Sequence, residues 1–239
     1  MQRAMSRTVG VIAVLAGLGL ACSLASALPS IPGLASETPD VPEPTAVPPT
    51  EAPSTVLEDD FSNSNSGWGT GTDSDSAIEY EDGSLLMETF VGSLIVWSNP
   101  DEKDYNNVHV EITVHNEAID DAVSFGVICH EQPGDARFHY LAIGPDGYYV
   151  IGRSEGDEDV LLTNEGEWVQ SGMIELSADT YRVGADCGED RLALYVNGKE
   201  IDSAEDTAFG DGGVGLFLWS ADGPSGVIRF DDFVMTSLE

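Results

Sequence analysis

Basic residues are scarce in this chain. Nine lysines and arginines face 43 aspartates and glutamates over 239 residues, for a formal net charge of −34. A nucleic-acid partner requires a cationic footprint, so this composition argues against one. The signatures of common catalytic centres are missing as well: there is no G-x-S-x-G, no H-E-x-x-H and no phosphate-binding loop. Helical periodicity is absent from the C-terminal three quarters of the chain. The four histidines, His109, His115, His130 and His139, lack metal-ligand spacing, and each reads as an ordinary surface or cleft residue. What remains is an acidic chain whose apolar residues alternate, and such acidity suits solubility, a salty habitat or divalent cations.

The two ends of the chain differ in kind. Arg3 and Arg7 precede the apolar run VGVIAVLAGLGLA at 9–21. This is the layout of an export signal, and the run is short and rich in Gly and Ala for a membrane span. Cleavage has two candidate positions. Ala25-Ser26-Ala27 suits ordinary processing after residue 27. Cys22, after Gly-Leu-Ala, resembles the lipobox cysteine of bacterial lipoproteins, although Gly19 stands where that motif prefers Leu or Val. Residues 28–55 hold eight of the twelve prolines among Ser, Thr and Glu. Such a segment buries too little surface to fold and serves as an extended spacer. A stalk of this kind makes sense behind a lipid anchor at Cys22, with the protein extracytoplasmic, on the cell surface or secreted.

Residues 56–239 carry a net charge of −32 and are long enough for one core. Their pattern has period two. In NVHVEITVHN (107–116), Val108, Val110, Ile112 and Val114 share one face while His109, Glu111, Thr113 and His115 share the other. Similar strands are expected at 78–90, 93–98, 122–131, 137–144, 147–153, 181–187, 191–197, 212–220 and 226–235. A weak strand at 159–163 and a loop carrying Trp168 fall between them. Asp82-Gly83, Asp146-Gly147 and Asn197-Gly198 are tight-hairpin signals, because type I′ turns need positive φ at both central residues. About a dozen short strands with regular turns imply an all-β protein, two antiparallel sheets packed face to face. Cys129 and Cys187 both sit in apolar strand contexts of an exported domain; they are either bridged or two buried free thiols.

These strings resemble the concanavalin A-like lectin/glucanase superfamily, in particular the laminin-G-like jelly-roll domains of bacterial surface and secreted proteins. The marks are LYVNG at 194–198, GVGL at 213–216 and the closing FDDF at 230–233. The resemblance spans essentially all of 56–239. It implies a two-sheet antiparallel β-sandwich of jelly-roll type, with carbohydrate binding as the commonest activity. Sugars take aromatic platforms for their C–H faces and polar groups for their hydroxyls. Trp97, Tyr140, Trp168 and Trp219 form the candidate carbohydrate-binding set, with His139, Asn197 and Arg137 as polar partners. Phe61, Trp68, Phe125, Phe230 and Phe233 are assigned to packing. Hydrolases on this fold use E-x-D-x-x-E on one strand; here EGDED at 155–159 runs into Val160, and EYED at 79–82 has the wrong spacing. The expectation is therefore a non-catalytic glycan- or cell-envelope-binding module, against a structural adhesion module that binds protein or a carbohydrate-active hydrolase. Related modules hold a structural calcium near their terminal strands, which makes Asp59, Asp60, Asp231 and Asp232 the candidate ligands.

The terminal strings EDDFS (58–62) and FDDFV (230–234) pose a further question. Strict alternation puts Asp232 on one face with Ile228, Phe230 and Val234. Either a β-bulge shifts the phase near 231–232, or a buried aspartate has found a partner.

Overall fold

The computed structural model describes residues 53–118, 121–134, 136–221 and 226–238. The export signal, Cys22 and all but the end of the Pro-rich segment lie outside these residues. Every regular element among the described residues is a strand. In chain order they are β1 (Thr55–Asp59), β2 (Gly71–Thr72), β3 (Ser76–Glu81), β4 (Ser84–Thr89), β5 (Leu94–Ser98), β6 (Val108–Asn116), β7 (Val123–Gln132) and β8 (Arg137–Ile143). These are followed by β9 (Tyr148–Glu155), β10 (Asp159–Leu161), β11 (Val169–Gln170), β12 (Thr180–Cys187), β13 (Arg191–Val196), β14 (Lys199–Glu205), β15 (Gly213–Ser220) and β16 (Val227–Ser237).

They build two antiparallel sheets. The first has nine strands in the order β14-β13-β12-β6-β16-β4-β3-β2, with β1 added beside β16. The second has seven, in the order β10-β9-β8-β7-β15-β5, with β11 added beside β9. One large apolar cluster fills the space between them. Val110, Ile112 and Val114 of β6 meet Phe125 and Val127 of β7, Leu141 and Ile143 of β8, and Leu216 and Leu218 of β15. Phe61, Trp68, Phe125, Phe230 and Phe233 all lie in this core, as their strand contexts imply.

The hairpins follow their turn residues, with one difference. Asp82-Gly83 and Asn197-Gly198 have positive φ at both positions. At Asp146-Gly147 only Gly147 does, with φ 86°. Pro145 fixes its own φ negative, so the four-residue turn closes from Gly147 N to Gly144 O at 3.0 Å and only its last residue is left-handed.

Cys129 of β7 and Cys187 of β12 form a disulfide, with Cα atoms 5.4 Å apart. Both are fully buried, and the bridge joins an interior strand of one sheet to an interior strand of the other.

The two terminal strings are neighbours. Glu58 pairs with Val234 and Asp59 with Phe233. The phase conflict is resolved by a bulge. Along β6, Asp231 pairs with Thr113 and Val234 with Glu111, so Asp232 and Phe233 together oppose Ile112. Asp232 is the left-handed residue, φ 51°, and it stays exposed. Its amide donates to Asp231 Oδ1 at 2.7 Å, and Arg182 Nη1 donates to its carbonyl at 3.0 Å. The extra residue lets Phe230 and Phe233 both face the core, at 0% and 1% exposure.

Candidate functional site

The two sheets differ on their outer faces. Outside the first, β6 alternates cleanly between buried and half-exposed residues. Its polar side chains form ion pairs across strands: Arg182 Nε reaches Glu111 Oε2 at 2.8 Å, and His109 Nδ1 lies 2.6 Å from Asp186 Oδ1. Outside the second sheet, the strands are buried on both sides, because a second apolar cluster covers them. Ile128, Phe138, Ala142, Val150 and Phe217 are its floor, and Ile95, Trp97, Tyr140, Trp168 and Trp219 pack on them half-buried.

Strand phase explains the floor. In β8, Phe138, Tyr140 and Ala142 point outward while His139, Leu141 and Ile143 point to the main core. The neighbouring outward positions are small: Ser124 and Gly126 on β7, Gly152 and Ser154 on β9. Gly152 pairs with Tyr140, and any side chain there would run into the phenol ring. The small residues thus leave a hollow in an otherwise aromatic face. It amounts to a cavity of about 270 Å³ lined by Phe138, Tyr140, Phe217, Trp168 and Trp219, with Ser124, Ser154 and Asp159 among its polar contributors.

Trp168 arrives from outside the sheet. The segment before it is held to β9 by Leu162 N donating to Ile151 O at 2.8 Å. It then turns through three left-handed residues, Asn164, Glu165 and Gly166, closed by Thr163 Oγ1 donating to Glu167 O at 2.9 Å. β11 reattaches it to β9 opposite Tyr148 and Tyr149. So fixed, the Trp168 ring lies near-parallel to that of Trp219, with centroids 6.3 Å apart and planes at 27°.

Three members of the expected aromatic set, Tyr140, Trp168 and Trp219, therefore line one cavity. Trp97 packs on Phe138 with centroids 5.5 Å apart, outside the lining, and donates its Nε1–H to Glu131 Oε1 at 2.8 Å. The polar partners expected beside them are elsewhere. Asn197 sits in the β13–β14 hairpin of the first sheet, and the Arg137 guanidinium stacks over Phe209 at 5.3 Å. His139 has the opposite phase to Tyr140 and is buried in the interior. The polar groups that do line the cavity escaped the sequence reading. The hydroxyls of Ser124, Ser154 and Tyr140 make no hydrogen bond to other described residues. Burial, with the Asp159 charge beside it, pushes the Tyr140 phenol above the usual tyrosine range, so it stays protonated.

The histidines correct an expectation. His130 and His139 are buried, at 1% and 0% exposure, rather than on the surface or in a cleft. A second bulge explains this. The β7–β8 register shifts between Cys129 and Gln132, His130 takes φ 57°, and its Nδ1 comes to 3.0 Å from His139 Nδ1. His139 Nε2 meets Asp206 Oδ1 at 3.2 Å, and Asp206 is held in turn by Arg153. His130 Nε2 is buried without a hydrogen-bond partner. Burial, then the neighbouring His139, depresses the His130 imidazole to about 4. Its folded-state value lies below its unfolded one of about 6.5, so the neutral ring contributes stability above pH ~6.5 that is lost as pH falls toward 4. At full loss this is about 3 kcal/mol. His109 works in the opposite sense: its bond to Asp186 raises its value. The check is the difference in unfolding free energy between the protein and its His130→Gln variant, from which the common groups cancel. That difference should shrink steadily from pH 7 to pH 4.5; parallel pH profiles would contradict this account of His130.

The four terminal aspartates are engaged separately. Asp59 accepts from Phe61 N at 2.9 Å and Trp68 Nε1 at 2.8 Å, Asp60 from both the amide and the hydroxyl of Ser62, and Asp231 from Asp232 N. Asp232 lies exposed on the bulge. Among the described residues, no group of three or more His, Cys, Asp or Glu side chains is arranged to hold a metal ion.

No sequence profile of a known protein family matches the chain, and no curated protein matches it in sequence. Solved structures do match in fold. A carbohydrate-binding module, CBM66, from Bacillus subtilis aligns at 12% identity over 72% of this chain and 96% of its own, with a TM-score of 0.56. A β-glucanase from Bacillus licheniformis aligns at 13% identity over 78% of this chain and 99% of its own, TM-score 0.55. The catalytic domain of an endo-1,3-β-glucanase (laminarinase) from Thermotoga petrophila aligns at 10% identity over 80% and 100%, TM-score 0.55. At these identities the likeness is one of architecture: the fold is the concanavalin A-like jelly roll.

Proposed function

We propose that the protein is a non-catalytic, extracytoplasmic glycan- or cell-envelope-binding module, lipid-anchored through Cys22 and held off the membrane by residues 28–55. One observation carries the binding half of this reading. Tyr140, Trp168 and Trp219 surround a single cavity on the outer face of the second sheet, with hydroxyls from Ser124, Ser154 and Tyr140 that make no hydrogen bond to other described residues. Ring faces supply the apolar platform a sugar stacks on, and these hydroxyls supply donors and acceptors for its own. The fold shared with a carbohydrate-binding module and with glucanases supports the same reading. Binding is favoured over hydrolysis because glycoside cleavage takes two carboxyl groups, about 5 to 10 Å apart across the bond. Asp159 is the single carboxylate among the described residues of this lining.

The test is a glycan array that includes the β-1,3-glucan laminarin, with the protein and its Trp168→Ala and Trp219→Ala variants. Retention of at least one glycan, lost in both variants, is the expected outcome. No retained glycan would sink the binding reading, and a Cys22→Ser form that stays with the membrane fraction would sink the anchor.

A further inference from the structure

A second depression, of about 380 Å³, shares the Trp168–Trp219 pair with the first cavity. Trp168 and Trp219 form one wall. Tyr148, Asp121 and Asp146 contribute the rest of the chemistry, and Ser124 is shared with the first cavity. This lining is unlike the first: it combines three aromatic rings with two carboxylates.

Three independent features of it point to one ligand chemistry. The first is the rings. Tyr148 is exposed and the two tryptophans are half-buried, so π faces are presented to solvent, and a π face attracts a cation. The second is the uncompensated charge. Asp121 accepts both its bonds from the Ser177 hydroxyl, at 2.9 and 3.0 Å, and Asp146 accepts from Tyr148 N at 3.1 Å. Neither bond neutralises a carboxylate. Neither residue takes part in an ion pair among the described residues, whereas Arg153, Arg182, Arg191 and Arg229 are each committed to other acids. The third is Ser124. It is 5% exposed, it lines the depression, and its hydroxyl makes no hydrogen bond to any described residue. The hydroxyl opens onto the depression, where it can hydrogen-bond a ligand. A neutral sugar would satisfy Ser124 but leave the two charges unmatched; an inorganic anion would be repelled by them.

We infer that this depression binds an alkylammonium group, either the protonated amine of an amino sugar or a quaternary ammonium. The rings take up the cation's methylene or methyl shell, the two carboxylates balance its charge, and Ser124 accepts from an N–H or a neighbouring hydroxyl. The chain's net negative charge draws cations toward it and so favours the encounter. Because the tryptophan pair is common to both cavities, an amino-sugar source joins this site to the proposed glycan site. The ammonium chemistry itself stands on Tyr148, Asp121 and Asp146, which the glycan reading does not use.

The experiment is a tryptophan-fluorescence titration of the protein with tetramethylammonium, choline, glucosamine and glucose, at low and at physiological ionic strength. The three cations should bind at least about threefold more tightly than glucose at low salt, and added salt should weaken that preference. The double variant Asp121→Asn/Asp146→Asn keeps one acceptor oxygen for Ser177 and one for Tyr148, so its melting temperature should stay close to that of the parent. Its cation affinity should fall to that for glucose, with the single variants intermediate, while retention of any array glycan is unchanged. Preference for glucosamine alone assigns the site to an amino sugar; preference for tetramethylammonium and choline alone assigns it to a quaternary ammonium. Cations that bind no better than glucose, or cation binding untouched by the double variant, overturn the inference. No retained glycan on the array, with cation binding intact, overturns the glycan reading and leaves this one standing.

Discussion

Replacing Cys129 and Cys187 together by alanine should lower the melting temperature by roughly 10 °C. The bridge spans 58 residues. In the chain-entropy account, closing a loop of that length removes about 4 kcal/mol of freedom from the unfolded chain. For a domain of this size each kcal/mol corresponds to about 2–4 °C. Both cysteines are fully buried and join β7 to β12, so the substitution also removes packing within the core. Calorimetry on the oxidised protein, the reduced protein and the double variant provides the check. The reduced form should lie between the other two, since it keeps the sulfur volume and loses only the cross-link. A double variant that melts within 2–3 °C of the oxidised protein would mean that the bridge adds little to stability.

Truncating Phe233 to alanine should cost about 3–5 kcal/mol, the usual loss for a buried phenylalanine, whereas deleting the exposed Asp232 should cost less. The bulge absorbs one extra residue. With Asp232, two residues oppose Ile112; without it, Phe233 alone opposes Ile112, and strict alternation keeps Phe230, Phe233 and Met235 on the core face. Deletion therefore removes the bulge and the Arg182 contact to the Asp232 carbonyl but leaves the core side chains in phase. Asp232→Gly isolates the backbone effect. Glycine accepts φ 51° more readily than aspartate and retains the carbonyl that Arg182 binds, so this variant should match or slightly exceed the parent in stability. A deletion variant that loses more stability than Phe233→Ala would refute the role given to the bulge.

The bulge also marks where sequence reading stopped. Alternation and turn residues sufficed for most of the sandwich: Val108 to Val114 in β6 and the Asn197-Gly198 hairpin need only local rules. At FDDF the same alternation put an aspartate among core residues, which exposed a conflict but did not decide between a bulge and a buried charge. That depends on Ile112 of a strand more than a hundred residues earlier, opposite which two residues must fit. The histidines were misread for a related reason. His139 sits at a core-facing phase of β8, but a histidine in such a position reads as polar until His130, turned inward by its own bulge, supplies a partner.

The aromatic face was legible in part. Tyr140 and Trp219 occupy outward phases of their strands, so their side of the sheet follows from parity. The placement of Trp168 does not, because it depends on the Thr163–Glu167 turn and on the two-residue β11. The hollow is a negative feature, made by Gly126, Ala142, Gly152 and Ser154 among larger neighbours. Its sequence signal is present: small residues at every second position of adjacent strands. It becomes readable once the register, with Gly152 opposite Tyr140, is known.

The central claim is that this face is a sugar-binding surface built on the Trp168–Trp219 pair. Its most direct test is a calorimetric titration of a glycan retained on the array into the protein, the Trp219→Ala variant and the Tyr195→Ala variant, the last altered only on the outer face of the first sheet. The account predicts that Trp219→Ala weakens binding about tenfold or more while Tyr195→Ala leaves it unchanged, since stacking on an aromatic platform contributes on the order of 1–2 kcal/mol. Equal affinities for the protein and Trp219→Ala, or loss of binding in Tyr195→Ala alone, would contradict it.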